Sequence, residues 1–169
     1  MEVTAAQVKE LREITGAGVM DCKRALMETG GDKDKAVEML RQHGLSVAEK
    51  KSHRTTEQGL VECYIHAGGR IGALVEVNCE TDFVARTPDF KALARDLAMQ
   101  VAATGPLYVS EEELKLEPGI EGDPKEICLL CQAYIRDASR TVLDIVNDVI
   151  AKTGENVKVS RFARFEIGS

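Results

Sequence analysis

Two cysteines three positions apart form the clearest chemical pattern in this sequence. Cys128 and Cys131 have the spacing of a metal half-site or of a redox pair. A structural zinc site needs two further ligands at comparable spacing, and the sequence supplies none. The pair falls within a predicted amphipathic helix that shows no thioredoxin-like strand–helix–strand context. We therefore predict buried or half-buried thiols, and we keep a thiol enzyme that uses both cysteines as an alternative hypothesis.

Other combinations of reactive residues are weaker. Cys63 and His66 have the residue types of a nucleophile and its base, but His66 falls on the polar side of a predicted strand. Gly68-Gly69 is followed by another strand, whereas a phosphate-binding loop leads into a helix N-terminus. We expect no catalytic residue, no metal and no cofactor. The chain is predicted to act by contact.

A short stretch, 78–86, lies between a strand-like run and a predicted helix start at Thr87-Pro88. Thr81 and Asp82 favour turns and helix caps, because their side chains accept backbone N–H bonds. Phe83 therefore falls at a strand-to-helix corner. The chemistry of the residue alone favours burial of its ring, and it leaves open a second interpretation, in which the ring projects as an anchor for a partner.

Composition and charge argue against membrane and nucleic-acid binding. The 169 residues suffice for one or two small domains, and the net charge is −6. Nucleic-acid binding depends on clustered Lys and Arg, and the one basic cluster, at 50–54, is short. No apolar run approaches the ~20 residues that span a bilayer, and the N-terminus, Met1–Thr4, lacks the basic and apolar regions of a signal peptide. We expect a cytoplasmic protein with reduced cysteines.

Three amphipathic helices are predicted in residues 1–45, where they form a bundle of the ubiquitin-associated type. Such a bundle buries few apolar residues and usually serves as a docking module. Residues 46–58 are predicted to be a linker or helical extension. The capping residues and glycines that indicate the helix limits are Thr4, Gln7, Gly16, Gly30-Gly31, Asp32 and Gly44.

Residues 59–169 predict an α+β core domain that begins with a β-hairpin. In 61–65 and in 71–77, apolar residues occupy the odd-numbered positions and alternate with mainly polar residues at the even-numbered positions. This period of two predicts that the odd-numbered residues of both strands share one buried face. Cross-strand partners point to the same face, so this pairing requires a loop of three or five residues around Gly68.

Helices and a final strand complete the predicted core. Thr87-Pro88 begins one helix. Asp123-Pro124 begins another, which carries Ile127, Leu130, Cys131 and Tyr134, and Ser139 is the predicted cap of the next. A strand over 156–167, with a bulge between Val159 and Phe162, joins the hairpin. The prediction is an N-terminal three-helix bundle, a linker, and a three-stranded antiparallel sheet packed with helices on one face.

Two long stretches, in the same order along the chain, resemble the signatures of the elongation factor Ts family. They are Val8-Lys9-Glu10-Leu11-Arg12 with Thr15–Leu26, and Glu76–Ala85. The resemblance covers nearly the whole chain and ends with Gly154–Val157 and Arg161–Phe165. It implies a guanine nucleotide exchange factor that binds elongation factor Tu, GDP-bound and nucleotide-free, and promotes GDP release by disturbing the Mg²⁺ and phosphate site.

The resemblance also implies roles for individual residues. The corner that intrudes near the magnesium site of Tu corresponds to Thr81, Asp82, Phe83 and Val84, and the motif that docks on the nucleotide-binding domain of Tu corresponds to Arg12, Val19 and Met20. Two positions depart from the usual pattern. Val19 replaces the more usual Met and keeps its apolar character, and Gln58 replaces an acidic residue.

The length of the chain resembles the short form of the family, which lacks a second core subdomain. The resemblance therefore implies a homodimer, with the terminal strand or its neighbouring helix at the interface and with 59–169 as the dimerisation and exchange domain. A rival hypothesis from another class is a small adaptor. Its N-terminal bundle would bind a ubiquitin-like or helical ligand without exchange activity.

Overall fold

The chain, described by a computed structural model for residues 3–117 and 119–168, divides into two compact units. One contains the residues up to His53 with Asn147–Gly154, and the other contains Arg54–Val146 with the residues from Glu155 onward. The predicted domain ends at Met1 and Ser169 lie outside the described residues. The predicted α+β class is confirmed, with N-terminal helices and a three-stranded antiparallel sheet packed with helices.

The helices are α1 (Ala5–Thr15), α2 (Val19–Glu28), α3 (Lys33–Lys51), α4 (Asp82–Ala85), α5 (Pro88–Thr104), α6 (Glu111–Lys115), α7 (Pro124–Ile127) and α8 (Val142–Thr153). The strands are β1 (Gln58–Ile65), β2 (Ile71–Cys79), β3 (Ala133–Tyr134), β4 (Asp137–Thr141) and β5 (Val157–Glu166). A 3₁₀ turn covers Leu129–Cys131.

Helices α1, α2 and α3 surround a small apolar core. Thr4 caps α1 through a complete capping box with Gln7. Gly16 ends the helix in a left-handed conformation, with φ of 68°, and its N–H donates to the Arg12 carbonyl at 2.8 Å. The buried residues of the core are Val8, Leu11, Cys22, Ala25, Leu26 and Ala36.

The predicted end of the third helix at Gly44 is wrong, because α3 continues to Lys51. Gly44 is buried inside this helix, and a β-carbon at this position would lie 3.3 Å from the β-carbon of Ala151. The glycine therefore permits a close approach between α3 and the end of α8, and it does not stop the helix. The sequence pattern alone cannot separate these two uses of glycine.

The sheet has the strand order β1-β2-β5, and both pairings are antiparallel. Helix α5 packs against β1 and β2 and buries Phe90 completely. The predicted bulge in the last strand is confirmed, because Glu76 pairs with Arg161 and Val77 pairs with Val159, which leaves Ser160 as the extra residue.

The predicted pairing of odd with odd residues in the hairpin is wrong. Ile65 pairs with Gly72, and the His66 N–H donates to the Ile71 carbonyl, so four residues form the loop. A loop with an even number of residues pairs the odd positions of β1 with the even positions of β2. The odd-numbered side chains of β1 therefore point away from the buried face of the sheet. Of the odd positions predicted to be buried in β2, Ala73, Val75 and Val77 are buried and Ile71 is half-buried, whereas Val61 and Ile65 in β1 are each 64% exposed.

The outward residues of the three strands form an apolar face at the hairpin end of the sheet. Two cross-strand rows make up this face: Ile65, Gly72 and Phe165, and next to it Cys63, Leu74 and Ala163. The following row is Val61, Glu76 and Arg161, in which the Arg161 Nε and the Glu76 Oε2 form an ion pair at 2.7 Å.

The long helix predicted from Asp123-Pro124, carrying Ile127, Leu130, Cys131 and Tyr134, is also wrong. Helix α7 ends at Ile127, and a 3₁₀ turn and the β3–β4 hairpin follow it. The cause lies in α5, where the Gln100 amide donates to the Ala133 carbonyl at 3.1 Å and accepts from the Ile135 N–H at 2.9 Å. These tertiary bonds hold the backbone in an extended form and override its local helical periodicity.

The predicted cap at Ser139 is wrong, because Ser139 lies within β4. Helix α8 begins three residues later, and Thr141 supplies its cap. The Thr141 hydroxyl accepts from the Asp144 N–H at 3.1 Å, and the Asp144 carboxylate accepts from the Thr141 N–H at 2.9 Å. This reciprocal pair is a capping box with Asp in the place of the usual Glu.

Candidate functional site

The corner between β2 and α5 presents its aromatic ring to solvent. Thr81 is the N-cap of α4, with its hydroxyl accepting from the Val84 N–H at 3.4 Å. Val84 and Ala85 are buried, whereas Phe83 is 78% exposed. Because the buried residues attach one side of this single helical turn to the core, the ring of Phe83 projects from the other side. Of the two interpretations of Phe83, burial is wrong.

Thr81 is held through every polar atom that it offers. Glu155 accepts the Thr81 N–H at 2.9 Å on one carboxylate oxygen and the Thr81 hydroxyl at 2.6 Å on the other. The Cys79 thiol donates to the Thr81 carbonyl at 3.1 Å. Burial, together with the nearby Glu155 carboxylate, raises the pKa of Cys79 to about 11, so the thiol keeps its proton at neutral pH.

Glu80 and Asp82, on either side of Thr81, also have partners. Glu80 accepts the Asn156 N–H at 2.7 Å and forms an ion pair with Arg54 at 3.5 Å. Asp82 forms an ion pair with Arg86 at 2.7 Å, one turn further along. Both partners of that pair are substantially exposed, so it adds little stability and leaves Asp82 accessible.

Sequence reasoning assigned no role to Glu155 or Glu80. Glu155 follows Thr81 by 74 residues, and no local periodicity links the two positions. A signal was nevertheless present, since 154–157 belongs to the segments that resemble elongation factor Ts. Contact between two such segments could have been inferred, although the atoms involved could not.

The three residues of the second predicted site lie in the other unit, on α1 and at the start of α2. Arg12 is exposed in the last turn of α1. Val19 and Met20 are the first two residues of α2, and they are 49% and 72% exposed. An aliphatic and a thioether side chain side by side in solvent are typical of a docking surface, because burial of such groups drives association.

Cys128 and Cys131 have the environment of structural thiols. Cys128 is fully buried and Cys131 half-buried. Burial and the acidic side chains of α6 raise the pKa of both thiols, that of Cys131 to about 11. Thiolate, the reactive form, is therefore scarce at neutral pH. Cys63 occupies an odd-numbered position in β1, and His66 occupies the even-numbered position directly after the strand. Their side chains therefore point to opposite faces of the strand.

Metal binding and membrane spanning can be assessed for the described ranges, 3–117 and 119–168. Among those residues, no group of three or more His, Cys, Asp or Glu side chains is arranged to hold a metal ion. The same residues contain no helix that is both long and apolar enough to cross a membrane.

A helical bundle with an exposed apolar pair, and a sheet domain with an aromatic ring held outward at a corner, are typical of proteins that bind other macromolecules. The family model described as Elongation factor TS matches residues 11–121. Elongation factor Ts from Desulforamulus reducens is 49% identical over 195 aligned positions, which cover 99% of this chain and 90% of the relative.

Two further relatives give the same result. Elongation factor Ts from a Thermoanaerobacter species is 50% identical and covers 98% of this chain and 95% of the relative. Elongation factor Ts from Thermotoga petrophila is 48% identical, and the alignment covers 99% of this chain and 98% of the relative. The chain belongs to the elongation factor Ts family, which makes it a translation elongation factor with a role in nucleotide exchange.

This chain is shorter than the relatives within the aligned region. The alignment with the Desulforamulus protein has 195 positions and this chain has 169 residues, so at least 26 positions are occupied by the relative alone. The alignment covers 90% of the relative, so the relative has extra residues both inside the alignment and beyond its ends.

Proposed function

We propose that this protein is the guanine nucleotide exchange factor for elongation factor Tu, and that Phe83 weakens GDP binding by disturbing the Mg²⁺ and phosphate site of Tu. The observation that carries the proposal is the 78% exposure of Phe83 on a turn whose cap residue is held by several hydrogen bonds. A large ring on a fixed support can displace elements of a partner, whereas a ring on a mobile loop would yield.

The physical basis of exchange is binding linkage. A factor that binds nucleotide-free Tu more tightly than the GDP complex must weaken GDP binding by the same ratio. In nucleotide-binding proteins of this kind, Mg²⁺ bridges the phosphates and neutralises their charge. A wedge that moves the elements around the ion therefore weakens the hold on the phosphates. Thr81 and Val84 would support the wedge, and Asp82 would orient it or pair with a basic group of Tu.

Docking would be the work of the N-terminal unit. Arg12 on α1 and Val19 and Met20 on α2 are each exposed, and they would contact the nucleotide-binding domain of Tu. This arrangement assigns affinity mainly to the bundle and the effect on nucleotide to the corner. The factor takes no covalent part in the process, and its proposed location is the cytoplasm, where translation occurs.

The test is release of a fluorescent GDP analogue from elongation factor Tu in the presence of this protein. We expect the parent to accelerate release strongly and Phe83→Ala to retain little of the acceleration. Leu116→Ala is a matched control, because Leu116 is 80% exposed and lies in the loop after α6. Equal acceleration by Phe83→Ala would remove Phe83 as the lever, and no acceleration by any variant would favour the adaptor hypothesis.

We further propose that two copies associate through the apolar face of the sheet. Its exposed residues include Ile65 at 64%, Leu74 at 45% and Phe165 at 70%. Monomeric proteins rarely leave contiguous apolar surface of this kind in water. The face suits a second copy of itself, because its two rows carry no charged side chain and the neighbouring Glu76–Arg161 pair neutralises its own charge.

Sedimentation at micromolar concentration tests the proposed dimer. We expect twice the chain mass of 18.5 kDa for the parent protein. A mass of 18.5 kDa that does not rise with concentration would contradict the proposal and would leave the exchange function unaffected.

A further inference from the structure

We propose that Glu155 is a positioning residue for nucleotide exchange, which acts by fixing Thr81 and thereby the direction in which Phe83 projects. The inference deepens the proposed function and rests on it. It concerns a residue that lies 74 positions from the corner in sequence and holds it by two hydrogen bonds.

Strand pairing ends shortly before Thr81 on one strand and shortly after Asn156 on the other. The pairing of β2 with β5 ends with Cys79 opposite Val157, so the residues just beyond leave the ladder. Buried or half-buried N–H groups in such a position need other acceptors. Two carboxylates supply them, since Glu155 accepts from the Thr81 N–H and Glu80 accepts from the Asn156 N–H. Each segment thus provides the acceptor for the other.

We call this arrangement the reciprocal clamp, and its members are Glu80, Thr81, Glu155 and Asn156. Its contacts have the lengths of charge-assisted hydrogen bonds, from 2.6 to 2.9 Å. Asn156 is buried, and its side-chain amide donates to the Arg54 carbonyl at 2.9 Å. The clamp therefore has a fixed base and is not a pair of surface side chains in chance contact.

The reciprocal clamp is connected directly to the turn that carries the aromatic ring. The Thr81 hydroxyl that donates to Glu155 also accepts the Val84 N–H, and this second bond caps the single turn of α4. Rotation of Thr81 away from Glu155 would therefore release the cap of the turn that carries Phe83. Glu155 itself is half-buried beneath the corner, so it is suited to orient the ring and not to replace it as the contact.

The test measures GDP release from elongation factor Tu against the concentration of the factor, which separates the maximal rate from the half-saturating concentration. We expect Glu155→Ala to lower the maximal rate about 10-fold, because small misplacements of a positioned group have effects of this order. The half-saturating concentration should change less than about 2-fold, since docking depends on the other unit.

Two further variants separate positioning from folding. Glu155→Gln keeps one oxygen for the Thr81 N–H and offers an amide to the hydroxyl, so it should restore the rate to within about 3-fold of the parent. Glu121→Ala removes the same charge from the exposed loop between α6 and α7 and should behave as the parent. A Glu155→Gln variant as slow as Glu155→Ala would overturn the clamp as the mechanism.

The double variant Phe83→Ala with Glu155→Ala tests whether Glu155 acts through the ring. If it does, the double variant should be no slower than Phe83→Ala alone, within about 2-fold. A further loss of about 10-fold would show that Glu155 contributes separately, and it would overturn the inference. If Tu releases GDP as fast with Phe83→Ala as with the parent protein, Phe83 is not the lever, and the positioning role of Glu155 fails with it.

Amide hydrogen exchange on the free protein gives a result that does not depend on Tu. The Thr81 and Val84 amides should exchange at least about 10-fold faster in Glu155→Ala, while amides in the middle of α5 keep the parent rate. Unchanged exchange at Thr81 would overturn the clamp even if the proposed function holds. Faster exchange at Thr81 with a parental rate of GDP release would keep the clamp as structure and overturn its role in nucleotide exchange.

Discussion

Phe83 and Phe165 are nearly equally exposed, at 78% and 70%, but their surroundings differ completely. Phe83 projects alone from a capped turn, with Asp82 beside it in sequence and the ion-paired Arg86 one turn further on. Phe165 lies in a row with Ile65 and Gly72, next to a second apolar row. The exposure of a ring alone therefore does not indicate the kind of partner that it contacts, whereas the residues around the ring do. An isolated ring suits a pocket in another protein, and a continuous apolar face suits its own copy.

The two rings also differ in what fixes them. Strand pairing holds Phe165, since its neighbours in β5 and its partner Gly72 in β2 share a ladder. Phe83 depends on side-chain bonds of a few residues, chiefly those of Thr81 with Glu155. We therefore expect a single substitution at the corner to disturb the position of Phe83 strongly. A single substitution on the apolar face should disturb the position of Phe165 less, because the strand pairing remains.

A third ring, that of Phe90, differs from both because it is not exposed at all. Phe90 is fully buried, so Phe90→Ala should lower the free energy of unfolding by about 3–5 kcal/mol. Phe83→Ala removes a solitary exposed ring and should change it by less than about 0.5 kcal/mol. Phe165→Ala removes a ring of the proposed dimer interface, so its loss should lie between those of the other two variants. Urea unfolding of the three variants measures this order. A large loss in Phe83→Ala would mean that the ring serves folding.

The next effect concerns self-association. Leu74 lies in the middle strand of the apolar face, so Leu74→Asp should place a charge at the centre of the proposed interface and weaken the dimer about 30-fold or more. Phe83→Ala should leave the dissociation constant unchanged. Sedimentation across a range of concentrations measures both. A dimer equally stable with Leu74→Asp would place the interface elsewhere.

Local signals predicted the parts of the fold where the neighbouring sequence decides the structure. The Thr4 capping box, the left-handed Gly16 and the bulge at Ser160 follow from patterns within a few residues, and the structure contains all three. The buried residues of β2 followed from alternation in the same way.

The failures occurred where distant atoms decide. The apolar residues of β1 occupy alternate positions and so share one face of the strand. Only the length of the hairpin loop determines whether that face points to the core or to solvent. In the segment after α7, Gln100 captures the backbone at Ala133 and Ile135, more than 30 residues away. For the same reason the corner was located from its sequence, whereas Glu155 was not.

A smaller effect tests the cap that supports Phe83. Thr81→Ala removes the hydroxyl that accepts the Val84 N–H and donates to Glu155, so we expect a loss of about 1–2 kcal/mol in the free energy of unfolding. Thr81→Ser retains the hydroxyl and should lose much less. Urea unfolding distinguishes the two variants, and equal losses would mean that the methyl group of Thr81 matters more than its hydrogen bonds.

The smallest expected effect is a pH dependence that originates beneath the corner. The pKa of Cys79 is raised to about 11 in the folded protein, whereas an unfolded cysteine titrates near 8.5. Above that pH the unfolded chain loses its proton first, so the stability from the protonated thiol is complete below about pH 8.5 and is lost as pH rises towards 11. Cys131 and Tyr134, with pKa values raised to about 11 and about 12, act in the same direction. Urea unfolding between pH 8 and pH 10.5 should therefore show falling stability, with a smaller fall in Cys79→Ala than in the parent. An identical fall in both proteins would mean that the Cys79 thiol is not confined by the corner, and that the support of Phe83 is looser than that of Phe165.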